Sequence, residues 1–317
     1  MKLDGVLVTW GDRLFYPGNW MVRDRPQPKR SATSIGQRAA AIRRRIEATV
    51  VRRSPQVMVK VTGGGRCMRA IAAHFRYISK NGRLEIETEQ GENVRGPHGV
   101  RDLTEEWKYG GSLIAEKAPA SSRREAINLM VSMPRGTDPL AVLRAARQFA
   151  REELTGHKYA MVLHDHQANP HVHISVRGES SVGTRLNPRK RDLQRWRETF
   201  AEKLRELGLD AEASRGATRM RQPSPEKLWR LKAGDEGRLR RLSRCARATN
   251  MMGPATGKAA SCWMHIAIAL SRGPNSEDRQ LAESIITFLK RDAETPSRRG
   301  QRGTQFVLQG HDLSRHR

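Results

Sequence analysis

Residues 164–173 read His-Asp-His-Gln-Ala-Asn-Pro-His-Val-His, so four of the ten histidines in the chain fall within ten positions. His171 and His173 are separated by one apolar residue, Val172. Successive side chains on a strand alternate between faces, so both imidazoles leave the same side. The runs 158–164 and 171–177 are strand candidates, and Asn169-Pro170 marks the turn between them. Facing side chains of an antiparallel pair lie roughly 5 Å apart at Cβ, so His164 can converge on the other two rings. Three nitrogen ligands with open positions describe a catalytic metal site rather than a closed structural one. The competing account is a set of surface or structural histidines, and the density and strand spacing weigh against it. A structural zinc site is weaker still, because Cys67, Cys245 and Cys262 are far apart and form no Cys-x-x-Cys pair. Imidazoles favour Mn, Zn, Co or Ni; phosphate and water oxygens bring in Mg as well, so Mg or Mn leads, with Zn, Co or Ni as alternatives.

The hairpin sits in an alternation of strand and helix signals. Residues 56–65 form a β-rich run stopped by three glycines, and no Lys-Ser/Thr follows them as a nucleotide-binding loop would require. Met68, Ile71, Phe75 and Ile78 recur at helical spacing up to an Asn81-Gly82 stop, which leaves Tyr77 near the helix end. Residues 83–88 alternate like a strand, residues 91–124 carry no clear period, and residues 126–133 form a second apolar strand-like run. Asp138 as N-cap and Pro139 in the first turn predict a helix over 139–154, with Leu140, Leu143, Ala146 and Ala150 as its apolar stripe. A further helix is predicted from Asn187-Pro188 to Gly208, carrying Leu193, Trp196, Phe200, Leu204 and Leu207.

Three regions follow: a basic, partly disordered N-terminal arm over 1–55, a compact domain over 56–220, and a basic, partly helical tail over 221–317. In the tail, helical pieces are expected near 226–248 and 277–291, and the apolar stretch 262–270 is too short for a bilayer and should pack locally. Lys and Arg number 59 against 33 Asp and Glu, a net charge of +26, which points to a nucleic-acid partner rather than a membrane. With neither an apolar leader nor a spanning run, a cytoplasmic protein is the expectation.

A metal that polarises a phosphate needs a nucleophile. The chain has four tyrosines, Tyr16, Tyr77, Tyr109 and Tyr159. Tyr77 stands out because Arg76, Lys80 and Arg83 surround it, a poor setting for mere packing.

Together these segments resemble the MobA/VirD-type relaxases, the mobilisation nucleases of the HUH endonuclease superfamily. The resemblance rests on Phe75-Arg76-Tyr77-Ile78-Ser79-Lys80-Asn81-Gly82, then Val131-Ser132-Met133-Pro134-Arg135-Gly136-Thr137, then His164, Pro170, His171 and His173, in the family's order. It extends over roughly residues 56–220. His166 stands where many relatives carry Asp, with Asp165 beside it, and Arg177 stands where Asn is often seen.

The resemblance implies an α+β fold with a central antiparallel sheet, helices on one side and the metal on the exposed face. It implies that Tyr77 attacks a phosphodiester to give a 5′-phosphotyrosine, with His164, His171 and His173 holding a divalent ion and His166 or Asp165 taking the proton. Ser132 is expected to contact DNA near the nick, and Arg76, Lys80, Arg83, Arg185, Arg189 and Lys190 are candidate phosphate contacts. The implied partner is single-stranded DNA at a plasmid transfer origin. A relaxosome accessory protein and a type IV secretion coupling protein follow as further partners. The alternatives are a catalytically decayed relative that only binds single strands, a metal-storage or structural cluster, and a rolling-circle replication initiator. The last is disfavoured because such proteins generally place the histidine pair before the tyrosine.

Overall fold

The computed structural model describes residues 2–16, 35–117, 123–166, 169–221 and 254–294. The strands are β1 Met58–Gly63, β2 Ile86–Thr88, β3 Asn93–Val94, β4 Ala126–Ser132, β5 Tyr159–His164 and β6 His171–Arg177. The helices, in chain order, are α1 Leu3–Phe15, α2 Ile35–Ile46, α3 Met68–Ile78, α4 Gly96–Tyr109, α5 Pro139–Glu153, α6 Lys190–Glu206, α7 Pro254–Ser271 and α8 Ser276–Glu294. Contacts divide the described residues into two compact units. One lies within Tyr16–Ala32 and Arg43–Arg215, the other within Met1–Phe15, Thr33–Ile42 and Gly216–Arg317.

The first unit is an α+β fold built on a six-stranded sheet of order β1-β4-β6-β5-β2-β3, antiparallel throughout. Alternation along the central strands feeds two separate cores. On one face, Ile127, Leu129 and Val131 of β4, Met161 of β5 and Val172, Ile174 and Val176 of β6 pack with Val142 and Phe149 of α5 and with Trp196, Phe200 and Leu204 of α6. On the other face, Ala126, Ala160, Val162 and Ile86 pack under Met68, Ile71, Phe75 and Ile78 of α3 and Val100, Leu103 and Trp107 of α4. The rings of Phe75 and Trp107 meet edge to face with centroids 4.8 Å apart. Helices therefore lie on both faces, not on one as expected. Those on the second face stop short of β1, whose Met58, Lys60 and Thr62 remain exposed.

The helix from Pro139 begins as its cap predicts, with the Asp138 carboxylate accepting from the backbone N–H groups of Leu140 and Ala141. Its buried stripe differs from the predicted one. Ala141, Val142, Ala145, Ala146, Phe149 and Ala150 face the sheet, and Leu140 is 56% exposed. Val142, Ala146 and Phe149 recur at the helical period along that stripe, which turns the first-turn leucine toward solvent. The unreadable stretch 91–124 contains β3 and α4. Pro97 lies in the first turn of α4, and Val100, Leu103 and Trp107 form its buried face.

Arg177, at the far end of β6, is buried. Its guanidinium donates to the carbonyl oxygens of Trp107 and Ser112, which ties α4 and the following turn to the sheet. A non-polar residue there would leave two carbonyls without donors, so the arginine is a structural part of this fold.

In the second unit, the segment expected to be a basic arm forms helices. Leu7, Val8, Leu14 and Phe15 of α1 are buried, as are Trp263, Ile266 and Leu270 of α7. Phe15 and Trp263 meet edge to face, and Trp263 Nε1 donates to the Thr218 carbonyl over 2.8 Å. The apolar stretch 262–270 packs locally inside α7, and α8 occupies the predicted helix at 277–291. The helix expected near 226–248 and Cys245 lie outside the described residues. No described helix is long and apolar enough to cross a membrane.

These two faces of α5 make a stability prediction. Phe149→Ala should cost about 3–5 kcal/mol in urea unfolding, the range for a fully buried aromatic. Leu140→Ala should change stability by less than about 0.5 kcal/mol, as at other exposed positions. Equal losses at the two sites would contradict the packing described.

Candidate active site

The β5–β6 hairpin places the histidines by register. His164 pairs directly with His171, and His173 follows two positions along β6, opposite Val162. All three thus emerge on the face that carries Ala160, Val162 and α3. Each offers a nitrogen, and these ligand atoms all lie within 4.8 Å of one another. Ring centroids are 5.1 Å apart for His164 and His171, 4.6 Å for His164 and His173, and 5.0 Å for His171 and His173.

Hydrogen bonds fix which nitrogens remain available. His164 Nε2 donates to the carbonyl of Ile78 over 2.7 Å, which leaves a lone pair on its buried, unpartnered Nδ1. His171 Nδ1 donates to the Asn169 carbonyl over 2.9 Å, which leaves its Nε2. Metal-binding imidazoles are commonly held this way, through the nitrogen that does not bind. Burial holds His164 below the usual histidine range, with the neighbouring rings and Lys80 adding to the effect. Burial, then the charges of His164 and His171, pushes His173 down to about 3. Near neutral pH these two rings therefore present lone pairs rather than protons. The convergence of one nitrogen from each ring, with Nδ1 of His164 buried and unpartnered, fits a divalent ion held by His164, His171 and His173.

Tyr77 stands at the last turn of α3 and is 72% exposed. Its helix is joined to the histidine cluster through the His164 bond to Ile78, the next residue. The chain turns sharply there: Lys80 and Asn81 adopt positive φ, Gly82 follows at +83°, and Ser79 Oγ accepts from the Gly82 N–H. Between Tyr77 and the cluster lies His74, which the sequence reading missed. Its ring centroid is 6.2 Å from that of Tyr77 and 6.5 Å from that of His173. The available signal was spacing, because a residue three before Tyr77 shares its helix face. Lys60, exposed on the same sheet face next to Met130, was missed as well.

The other predicted residues separate into two groups. His166 and Asp165 are exposed beside the cluster, with the His166 ring 5.1 Å from that of His164. Arg76, Lys80 and Arg83 are exposed around the turn after α3. Ser132 pairs with His171, but it is buried and its hydroxyl donates to the Pro170 carbonyl over 3.1 Å, so it braces the hairpin turn. Arg185 is not brought to the site. It is held by Glu179 and Glu125 beyond Arg177, six residues and about 20 Å along β6 from His171. Arg189 and Lys190 begin α6 after the loop that leaves this same far end.

Residues 77–209 match the family model of the MobA/VirD2-like relaxase nuclease domain. Over 140 residues the chain is 24% identical to the T-DNA border endonuclease VirD2 of Rhizobium radiobacter, covering 40% of this chain and 33% of that protein. It is 25% identical over 140 residues to the protein of the same name from Agrobacterium fabrum (strain C58), covering 40% and 31%. The one from Rhizobium rhizogenes is 24% identical, covering 40% and 32%. The alignments thus span about a third of each relative's length. The ordered motifs and these matches agree: residues 77–209 are similar to the nuclease domain of the MobA/VirD2-like relaxases.

Proposed function

We propose that this chain is a site- and strand-specific DNA-nicking transesterase that joins itself to a transfer origin through a 5′-phosphotyrosine. The observation that carries the reading is the convergence of His164, His171 and His173 beside the helix end that bears Tyr77, with His164 bonded to the residue after that tyrosine. In the reaction, the phenolic oxygen of Tyr77 bonds to the scissile phosphorus. The bond from phosphorus to the 3′ oxygen breaks, and that oxygen leaves as a 3′-hydroxyl. One phosphodiester replaces another, so the step is close to neutral in energy and can run backward to rejoin the strand.

A free phenol ionises near pH 10, so attack needs a proton acceptor. His166, exposed beside His164, fills that role, and Asp165 is its adjacent alternative. A divalent ion held by the three imidazoles, Mg or Mn first and Zn, Co or Ni as alternatives, would supply positive charge to the phosphate oxygens. His164 and His173, kept neutral by burial, are held ready to bind it. Lys80, Arg76 and Arg83 bring cationic groups to the same turn and suit the phosphates that flank the nick. The partner is single-stranded DNA. A relaxosome accessory protein and a type IV secretion coupling protein belong to the same reading.

Single-stranded oligonucleotides tiling the DNA that flanks the coding sequence provide the test. With Mg or Mn, the wild-type chain should form a denaturation-resistant adduct with the 5′ end of one cleaved product. Tyr77→Phe should form none, and EDTA should prevent it. Binding without cleavage would favour the decayed, strand-binding alternative. The charge pattern makes a second prediction. Lys80→Ala should reduce the salt-dependence slope of oligonucleotide binding by about 0.7, the value for one single-strand phosphate contact. Arg185→Ala should leave the slope unchanged, and a change there would show that the far end of β6 also meets DNA.

A further inference from the structure

A metal-bound imidazole uses one ring nitrogen, and its other N–H needs an acceptor when the ring is removed from water. His164 and His171 meet this need through the carbonyls of Ile78 and Asn169. His173 does not. Its Nδ1 is sealed from solvent and has no hydrogen-bond partner. The described rings packed against His173 are His164, His171 and His74, and the first two are already committed. His74 is complementary. Its Nε2 is likewise sealed and without a partner, and its ring stands nearly perpendicular to that of His173 at 75°. Two neighbouring rings, each with an orphaned nitrogen, can supply one N–H and one lone pair to each other. The centroids are 6.5 Å apart, so a bond of about 3 Å needs the two rings to close on each other by roughly 1 Å.

We propose that His74 is a positioning residue of the histidine centre: its Nε2 accepts a hydrogen bond from Nδ1–H of His173, which turns Nε2 of His173 toward the ion. The inference rests on the reading of His164, His171 and His173 as metal ligands. It adds a second tie between that centre and α3. His164 is held by the carbonyl just after Tyr77, and His173 by a side chain one turn before it. The helix segment bearing the tyrosine is then braced against two of the three ligands, so metal loading and placement of the phenol depend on the same contacts.

Cobalt(II) titration of the full chain, followed by absorbance, tests this without DNA. His74→Leu should weaken cobalt binding about tenfold to a hundredfold, the usual effect of losing a ligand's supporting hydrogen bond. The unfolding temperature of the metal-free protein should stay close to that of wild type. His74→Gln, whose amide oxygen can accept the same bond, should restore affinity to within about threefold of wild type. Long-range 1H–15N correlation spectra of the zinc-loaded wild-type chain need no variant. They should show His173 bound through Nε2 and protonated at Nδ1. Cobalt affinity in His74→Leu within twofold of wild type, or zinc on Nδ1 of His173, would overturn the inference. His171→Ala separates the two readings. If it loses cobalt while His74→Leu does not, the metal centre stands and the role of His74 falls. If the wild-type chain binds no cobalt, both fall.

Discussion

The pairing of β5 with β6 places His164 directly across from His171, and the site depends on that register. Because side chains alternate along a strand, a slip of one residue would send His171 and His173 into the core beneath α5 and α6. It would also bring Val172 and Ile174 out beside α3. What prevents the slip is the pattern on both strands. Met161, Val172, Ile174 and Val176 belong to one buried cluster, and Ala160 and Val162 to the other. The same apolar residues that stabilise the sheet therefore fix the imidazoles on one face. Ser132 supports this arrangement from β4 by donating to the Pro170 carbonyl in the turn.

Burial has opposite consequences at the two ends of β6. At the His171 end it lowers the proton affinity of His164 and His173 and leaves ring nitrogens without partners, an arrangement that costs stability unless something binds there. At the Arg177 end a guanidinium is buried too, but backbone carbonyls satisfy it. Stability is thus concentrated at one end of the strand, and unsatisfied binding capacity at the other. Arg177 lies six residues along β6 from His171, so it is a matter of packing and no argument for a decayed centre.

Much of this was legible in the sequence because local pattern and tertiary environment agree. The apolar positions of α3, the Asp138 cap of α5 and the two strands of the histidine hairpin form where the periodicity puts them. Helix α4 was hidden because Gly96, Pro97 and Gly99 open it with turn-forming residues, and three apolar positions carry its whole buried face. The α5 stripe was misplaced by weighting Leu140 above the small alanines that allow close approach to the sheet. His74 was missed because a lone histidine on a helix carries no signal until the fold brings His173 beside it. Arg185 looked like a phosphate contact because its partners, Glu179 and Glu125, include one that is distant in sequence. N-terminal basic residues read as an arm since the apolar partners of α1 lie more than two hundred residues away, in α7.

In the proposed reaction, a phenol at the end of α3 becomes covalently joined to DNA. Nuclease digestion of the protein–DNA adduct, followed by tandem mass spectrometry, tests it most directly. The expected product is a nucleotide linked through its 5′-phosphate to the peptide containing Tyr77. A nucleotide on Tyr16, Tyr109, Tyr159 or any serine would contradict it.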